Sequence, residues 1–253
     1  MVSFTAIYVL WLRELKKFIR SKARIIGSLT TPLLFLAGLG LGFSGTKVPG
    51  IEATSYLQFL TPGIVGMSLL FSSTFAGLTL LLDREFGFLK EIMVAPVDRI
   101  SIVLGRTAGG LTTGLIQALL ILLVALVAQK ELISVAALLL SIVFIILTSC
   151  TFIGIGLIFA SMMRDTQGFN LVVNFLIFPL FFLSGALYPI NNLPNWLKSI
   201  SLIDPLTYGV DGLRGAMIGA SHFSLFLDFI VLAVFSTVTV FLGAYFFERS
   251  QSL

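Results

Sequence analysis

LLLDREFGFLKEIMVAPVDRISIVLGR, residues 80–106, gathers eight charged side chains between two stretches that are nearly pure hydrocarbon. Asp83, Glu85, Glu91 and Asp98 stand against Arg84, Lys90, Arg99 and Arg106, so the segment is balanced in charge. A loop that only marked membrane topology would carry an excess of Lys and Arg. Phe86, Leu89, Ile92 and Met93 share one face of a short helix from Asp83 to Val94, and Pro96 stops it. The expectation is an amphipathic helix in water. Its acids lie near the N-terminus, where the helix dipole favours them, and its mixed charges and exposed apolar groups suit docking on another protein.

The flanks decide the fold. Runs 25–46, 53–82, 107–129, 132–163, 166–197 and 229–247 contain no Asp, Glu, Lys or Arg. Each is long enough to cross a bilayer, since about 20 helical residues span the roughly 30 Å hydrocarbon core. With 57% hydrophobic and 11% charged residues and a mean hydropathy of +1.06, the composition lies far from that of soluble domains. The runs are continuously apolar and lack the period-two alternation of barrel strands, so helices are expected. The fold class read from the sequence is an all-α polytopic membrane protein with spans at 25–45, 57–82, 103–128, 132–161, 168–187 and 226–247.

Basic residues set the orientation. Six lie in 1–24, four in 83–106, one in 164–165 and one in 248–253, whereas the alternate side holds only Lys47, Lys130, Lys198 and Arg214. Both termini are therefore expected in the cytoplasm, in the inner membrane of the cell. The net charge of +4 then reports topology, and a nucleic-acid partner is excluded for want of a soluble basic face. MVSFTAIYVLWL precedes the first basic residue, so no signal peptide is expected. Cys150, the lone cysteine, lies within the fourth span and allows no intramolecular disulfide.

Ahead of the first span, Phe4, Ile7, Tyr8, Trp11, Leu15, Phe18 and Ile19 recur at helical spacing, with Arg13, Lys16, Lys17 and Arg20 largely opposite. Residues 1–24 are expected to hold an interfacial helix resting on membrane lipid, with Trp11 and Tyr8 at headgroup level. Gly38 and Gly42 in span one, and Gly105, Gly109, Gly110 and Gly114 in span three, offer close helix packing. Asn170 and Asn174 share a face of span five and are followed by Phe175 and Phe178; with Ser72 of span two they are the candidate lining of a transport path. Residues 190–222 are too polar to span and too apolar to float free, so an outer reentrant hairpin is expected, with half-helices at 193–201 and 205–218.

Some chemistry is missing. There is no Gly-Lys dipeptide, hence no phosphate-cradling P-loop, and the charge-free runs offer no intramembrane carboxylate for ion coupling. GFSG at 42–45 with His222 resembles the serine-histidine pair of intramembrane hydrolases, but Ser44 stands at the tip of its span, where a recessed nucleophile is required.

Six spans, a basic amphipathic helix first, a charged segment after span two and an outer hairpin before span six resemble the type 2 ATP-binding-cassette exporter permeases. LDREFGFLKEIMVAPVDRISIVLGR and LPNWLKSISLIDPLTYGVDGLRG carry the likeness most specifically. The resemblance implies a single permease domain over 1–253, with a coupling helix at 83–100 in which Arg84, Glu85, Phe86, Gly87, Leu89, Lys90 and Glu91 seat in a nucleotide-binding ATPase subunit. It implies that Trp11, Arg13, Lys16, Lys17 and Arg20 belong to a connecting helix, and that a second permease copy completes a dimer with spans two and five facing the path. It also implies no catalytic residue, metal or cofactor in this chain, with ATP and Mg held by the partner ATPase. The family exports drugs, lipids, glycolipids and polysaccharides, and 24 Phe against five Tyr and two Trp lean toward an amphiphile, either a drug, a lipid or a lipid-linked glycan. A polysaccharide exporter is the alternative, and an uncoupled carrier or hydrolase the remote one.

Overall fold

A computed structural model describes residues 3–43, 55–87, 98–130, 132–163 and 165–250, and every regular element among them is helical. Helix α1 (Phe4–Arg20) precedes five helices long and apolar enough to cross a membrane: α2 (Lys22–Gly42), α3 (Tyr56–Glu85), α4 (Arg99–Gln129), α5 (Val135–Met162) and α6 (Thr166–Leu183). A 3₁₀ turn at Ile190–Asn192 leads to α7 (Asn195–Ser201) and α8 (Pro205–Ile218), and α9 (Leu225–Ser250) is the sixth helix of spanning length. The chain is a multi-pass membrane protein.

Local chemistry sets the helix ends. Ser55 opens α3 with a capping box, accepting from the Gln58 amide at 3.3 Å while the Gln58 side chain accepts from the Ser55 N–H at 2.8 Å. Ser134 caps α5 and Asp165 caps α6. Lys130, at φ 56°, closes α4 in the left-handed region, which turns the chain straight into α5.

Helix α3 is the axis of the bundle. Phe59 to Leu70 are all buried, and Leu60, Ile64, Leu69 and Leu70 join Phe144, Phe152, Phe169, Phe181 and Val210 in one continuous core. Helices α3 and α5 cross at backbone contact: a Cβ on Gly77 would lie 2.2 Å from Gly156 O, and one on Gly156 would lie 2.3 Å from Thr74 O. Helix α8 enters the same core, with Pro205 to Arg214 buried, which gives this polar segment the protein cover that lipid would deny it. By contrast α2 buries only Pro32, Leu36 and Gly40, and α6 only Phe169, Val173, Ile177 and Phe181.

Several boundaries differ from expectation. Helix α3 runs unbroken to Glu85, so Asp83, Arg84 and Glu85 form its last turn instead of opening a separate helix; no residue of LLLDRE breaks a helix, and Asp83 finds cations there. The chain leaves this turn at Gly87, with φ +75°. Residues 88–97, which include Leu89, Lys90 and Glu91, lie outside the described residues. Helix α6 ends at Leu183, four residues short of the expected span. Gly38 and Gly42 make no close approach among the described residues, since a Cβ on either meets nothing there within 4 Å.

Gly156→Leu is expected to separate α3 from α5 and destabilise the protein by at least about 3 kcal/mol, at or beyond the upper end of core overpacking costs. Gly38→Leu should unfold at the wild-type temperature when the detergent-solubilised chain is melted.

Candidate functional site

Helix α1 lies along α4 in a groove made by missing side chains. A Cβ on Gly105 would meet Leu10 Cβ at 2.8 Å, and one on Gly109 would meet Glu14 Cβ at 2.7 Å. Leu10, Glu14 and Phe18, four residues apart, form the buried stripe of α1. The expected apolar face is therefore rotated: Phe4, Tyr8 and Ile19 are exposed, and an acid occupies the centre of the inward face. The Trp11 indole N–H donates to Thr112 Oγ1 of α4 at 2.9 Å.

Glu14 is inward because Arg106 meets it. Two turns inside α4 and only 4% exposed, Arg106 donates from Nη1 to Glu14 Oε1 at 2.9 Å and from Nη2 to Asp83 Oδ2 at the end of α3. Asp83 also accepts from Arg13 Nη2 at 2.5 Å, and Lys17 Nζ lies 3.7 Å from Glu14 and 3.9 Å from Asp83. One guanidinium thus joins three helices that are distant in sequence. Burial pulls both Arg13 and Lys17 below their ordinary pKa values, and the Glu14 carboxylate opposes that drop.

A second tie starts at the residue after Asp83. Arg84 donates to the Met163 carbonyl, and Glu85 accepts from the Thr166 amide at 2.9 Å. These two side chains clamp the end of α3 to the turn between α5 and α6. Phe86, beside them, is 80% exposed. Beneath the cluster, α1, α2, α3 and α4 enclose a cavity of about 440 Å³ whose wall includes Glu14, Arg24, Arg106, Phe71 and Ser72.

The candidate path residues are not assembled into one lining. Ser72 faces this cavity, whereas Asn174, Phe175 and Phe178 are exposed on α6 and Asn170 is half-buried. Phe178 reaches the Ser72 neighbourhood only through an edge contact with Phe71, at 5.8 Å between ring centres. Lys16 and Arg20 are exposed on α1. Glu14 carries no motif and was legible only as an acid between Leu10 and Phe18 at spacings of four. Arg106 read as one more charge of the connection.

At the opposite end of the bundle, Asp211 accepts from the His222 and Phe223 amides at 2.8–2.9 Å, and Arg214 donates to the Gly185 carbonyl at 3.0 Å. His222 enters this network through its backbone, with its ring edge-on to Phe223; Ser44 lies outside the described residues. No cluster of metal-ligating side chains occurs among the described residues.

The sequence signature of the ABC-2 type transporters matches residues 5–218, which takes in α1 through α8. The chain belongs to that family. It is 31% identical over 218 residues to the putative transport permease ycf38 of Cyanophora paradoxa, covering 84% of this chain and 75% of that protein. It is 30% identical over 230 residues to nodulation protein J of Rhizobium meliloti, covering 90% and 86%. The inner membrane transport permease YadH of Escherichia coli is 26% identical over 238 residues, covering 92% and 90%. The match takes in both LDREFGFLKEIMVAPVDRISIVLGR and LPNWLKSISLIDPLTYGVDGLRG, the stretches that carry the family likeness.

Removing the shared cation leaves two buried acids with only the more exposed Arg13 and Lys17 beside them. Arg106→Ala is expected to cost about 3–5 kcal/mol, the range for breaking one side of a buried ion pair. Lys17→Gln, at a side chain 43% exposed, should cost less than about 1 kcal/mol. Thermal unfolding of the two variants in detergent checks the contrast. A separate pH dependence comes from Asp204, the cap of α8, which burial pushes up to about 8 against the opposing bond from the Leu206 amide. Between its ordinary value of 3.8 and about 8 the folded state binds the extra proton, so this contribution is greatest at low pH and declines as pH rises. Asp204→Asn keeps a capping oxygen and should remove a slope approaching about 1.4 kcal/mol per pH unit, read from melting curves between pH 5 and pH 8.

Proposed function

We propose that this ABC-2 chain is the membrane subunit of an ATP-driven exporter in the cytoplasmic membrane, with both termini inside the cell, and that it moves an amphiphilic substrate outward. The observation that carries the reading is the double tie at the end of α3. Asp83 is held to α1 and α4 through Arg106, while Arg84 and Glu85 are held to the α5–α6 turn. A push on the segment that follows Glu85 is then delivered to α1, α3, α4 and the α5–α6 turn together. Exposed Phe86 at its root supplies an apolar anchor for a protein partner.

The partner is a nucleotide-binding subunit that holds ATP and Mg; the opposite charges of Lys90 and Glu91 supply register and the apolar side chains supply grip. Two copies of the permease assemble about a two-fold axis. Support for this comes from the exposed α6 face bearing Asn174, Phe175 and Phe178, and from Gly38 and Gly42 on α2, which no described helix of the same chain approaches. ATP-driven closure of the two nucleotide-binding subunits moves the permeases as rigid bodies and changes access to the path between them. Aromatic side chains on that face favour an amphiphile such as a drug, a lipid or a lipid-linked glycan.

Phe86→Asp should lower co-purification of the nucleotide-binding subunit at least about tenfold, the scale of losing an interface anchor worth more than 1.4 kcal/mol, while leaving the melting temperature unchanged. Inside-out vesicles holding the full complex should take up labelled lipid or lipid-linked glycan only with ATP. Undiminished association of the Phe86 variant, or uptake by the permease alone, would overturn the reading.

A further inference from the structure

We propose that the cavity enclosed by α1, α2, α3 and α4 binds the headgroup and upper chain of one anionic glycerophospholipid, drawn from the leaflet at the level of the ionic cluster. The charge count favours an anion. Among the described residues that line the cavity, Arg24 and Arg106 stand against one acid, Glu14.

Donors remain at the same place. Arg106 satisfies both acids through its terminal nitrogens, and the guanidinium of Arg24, exposed on the cavity wall, supplies the remaining donors. A phosphodiester accepts from such groups and carries the missing negative charge.

The remaining walls select a lipid over a free anion. Phe18, Phe71 and Phe75 make one side apolar, and the space lies against the first half of α2, the loosest part of the bundle. Within this half Gly27 lines the cavity, yet a Cβ on it would meet nothing within 4 Å. An acyl chain leaves sideways between α2 and the body while its phosphate stays at Arg24 and Arg106. Basic pockets between membrane helices bind anionic headgroups in this manner. The bound phosphate would complete the cluster that holds α1 to α3 and α4, so the anionic lipid content of the membrane sets how firmly those helices act as one body.

The test uses the full chain in mild detergent, titrated with dioleoyl phosphatidylglycerol or dioleoyl phosphatidylcholine and read by native mass spectrometry. One phosphatidylglycerol per chain should be retained, at least fivefold over the choline lipid. Arg24→Gln, at an exposed side chain that no fold contact needs, should reduce that preference about fivefold, the worth of one basic residue at a lipid surface. Ser28→Phe, which fills the α2 side of the cavity, should lower retention of both lipids without changing the melting temperature. Equal retention of the two lipids, an unchanged preference in both variants, or displacement of phosphatidylglycerol by millimolar inorganic phosphate would overturn the proposal. Because the readout is lipid retention without ATP or an ATPase, its failure leaves the exporter reading standing, and the reverse also holds.

Discussion

A single guanidinium, Arg106, holds together three helices that the chain visits far apart in sequence. It is buried between helices, where an unpaired charge is costly, and the cost is offset because Glu14 and Asp83 both reach it. That requirement fixes the register of α1 against α4 and the position of the end of α3. It also explains the small residues around it: Gly105 and Gly109 let α1 approach closely enough for the carboxylate to arrive. An apolar contact would hold the same helices with less discrimination, because it tolerates sliding, whereas a shared ion pair with fixed hydrogen-bond directions does not.

Two styles of packing follow from that anchor. Around α3 the helices are fastened by backbone approach and continuous burial, and α8 is drawn into the same core because its polar backbone and Asp204 need cover. Around α2 and α6 the fastening is loose, and large apolar side chains such as Phe175, at 84% exposure, remain on the outside. A rigid centre with a soft rim suits a protein that must move as a body while offering faces to lipid and to other chains.

The clamp formed by Arg84 and Glu85 revises how the charged connection is understood. Read as part of an exposed docking helix, these residues would be free to meet a partner. In the fold they are committed to the Met163 carbonyl and the Thr166 amide, and the outward-facing group is Phe86. In the proposed exporter these charges hold the chain together, and Phe86 meets the partner.

The sequence by itself determined the class, the number of spans and the end at which the charges collect, because continuous hydrocarbon runs and a P-loop's absence are properties of composition and spacing. It also marked Asp83 to Arg106 as more than a topology signal, since balanced charge has no reason to persist in a plain loop. Only the tertiary structure decided that Glu14 belongs to the core, that α3 carries Asp83 to Glu85 in its final turn, and that Ser72 faces a different space from Asn174. The physical reason is range: periodicity records which face of a helix is buried, but not which distant side chain neutralises a charge placed there, and that partner is chosen by three-dimensional approach alone.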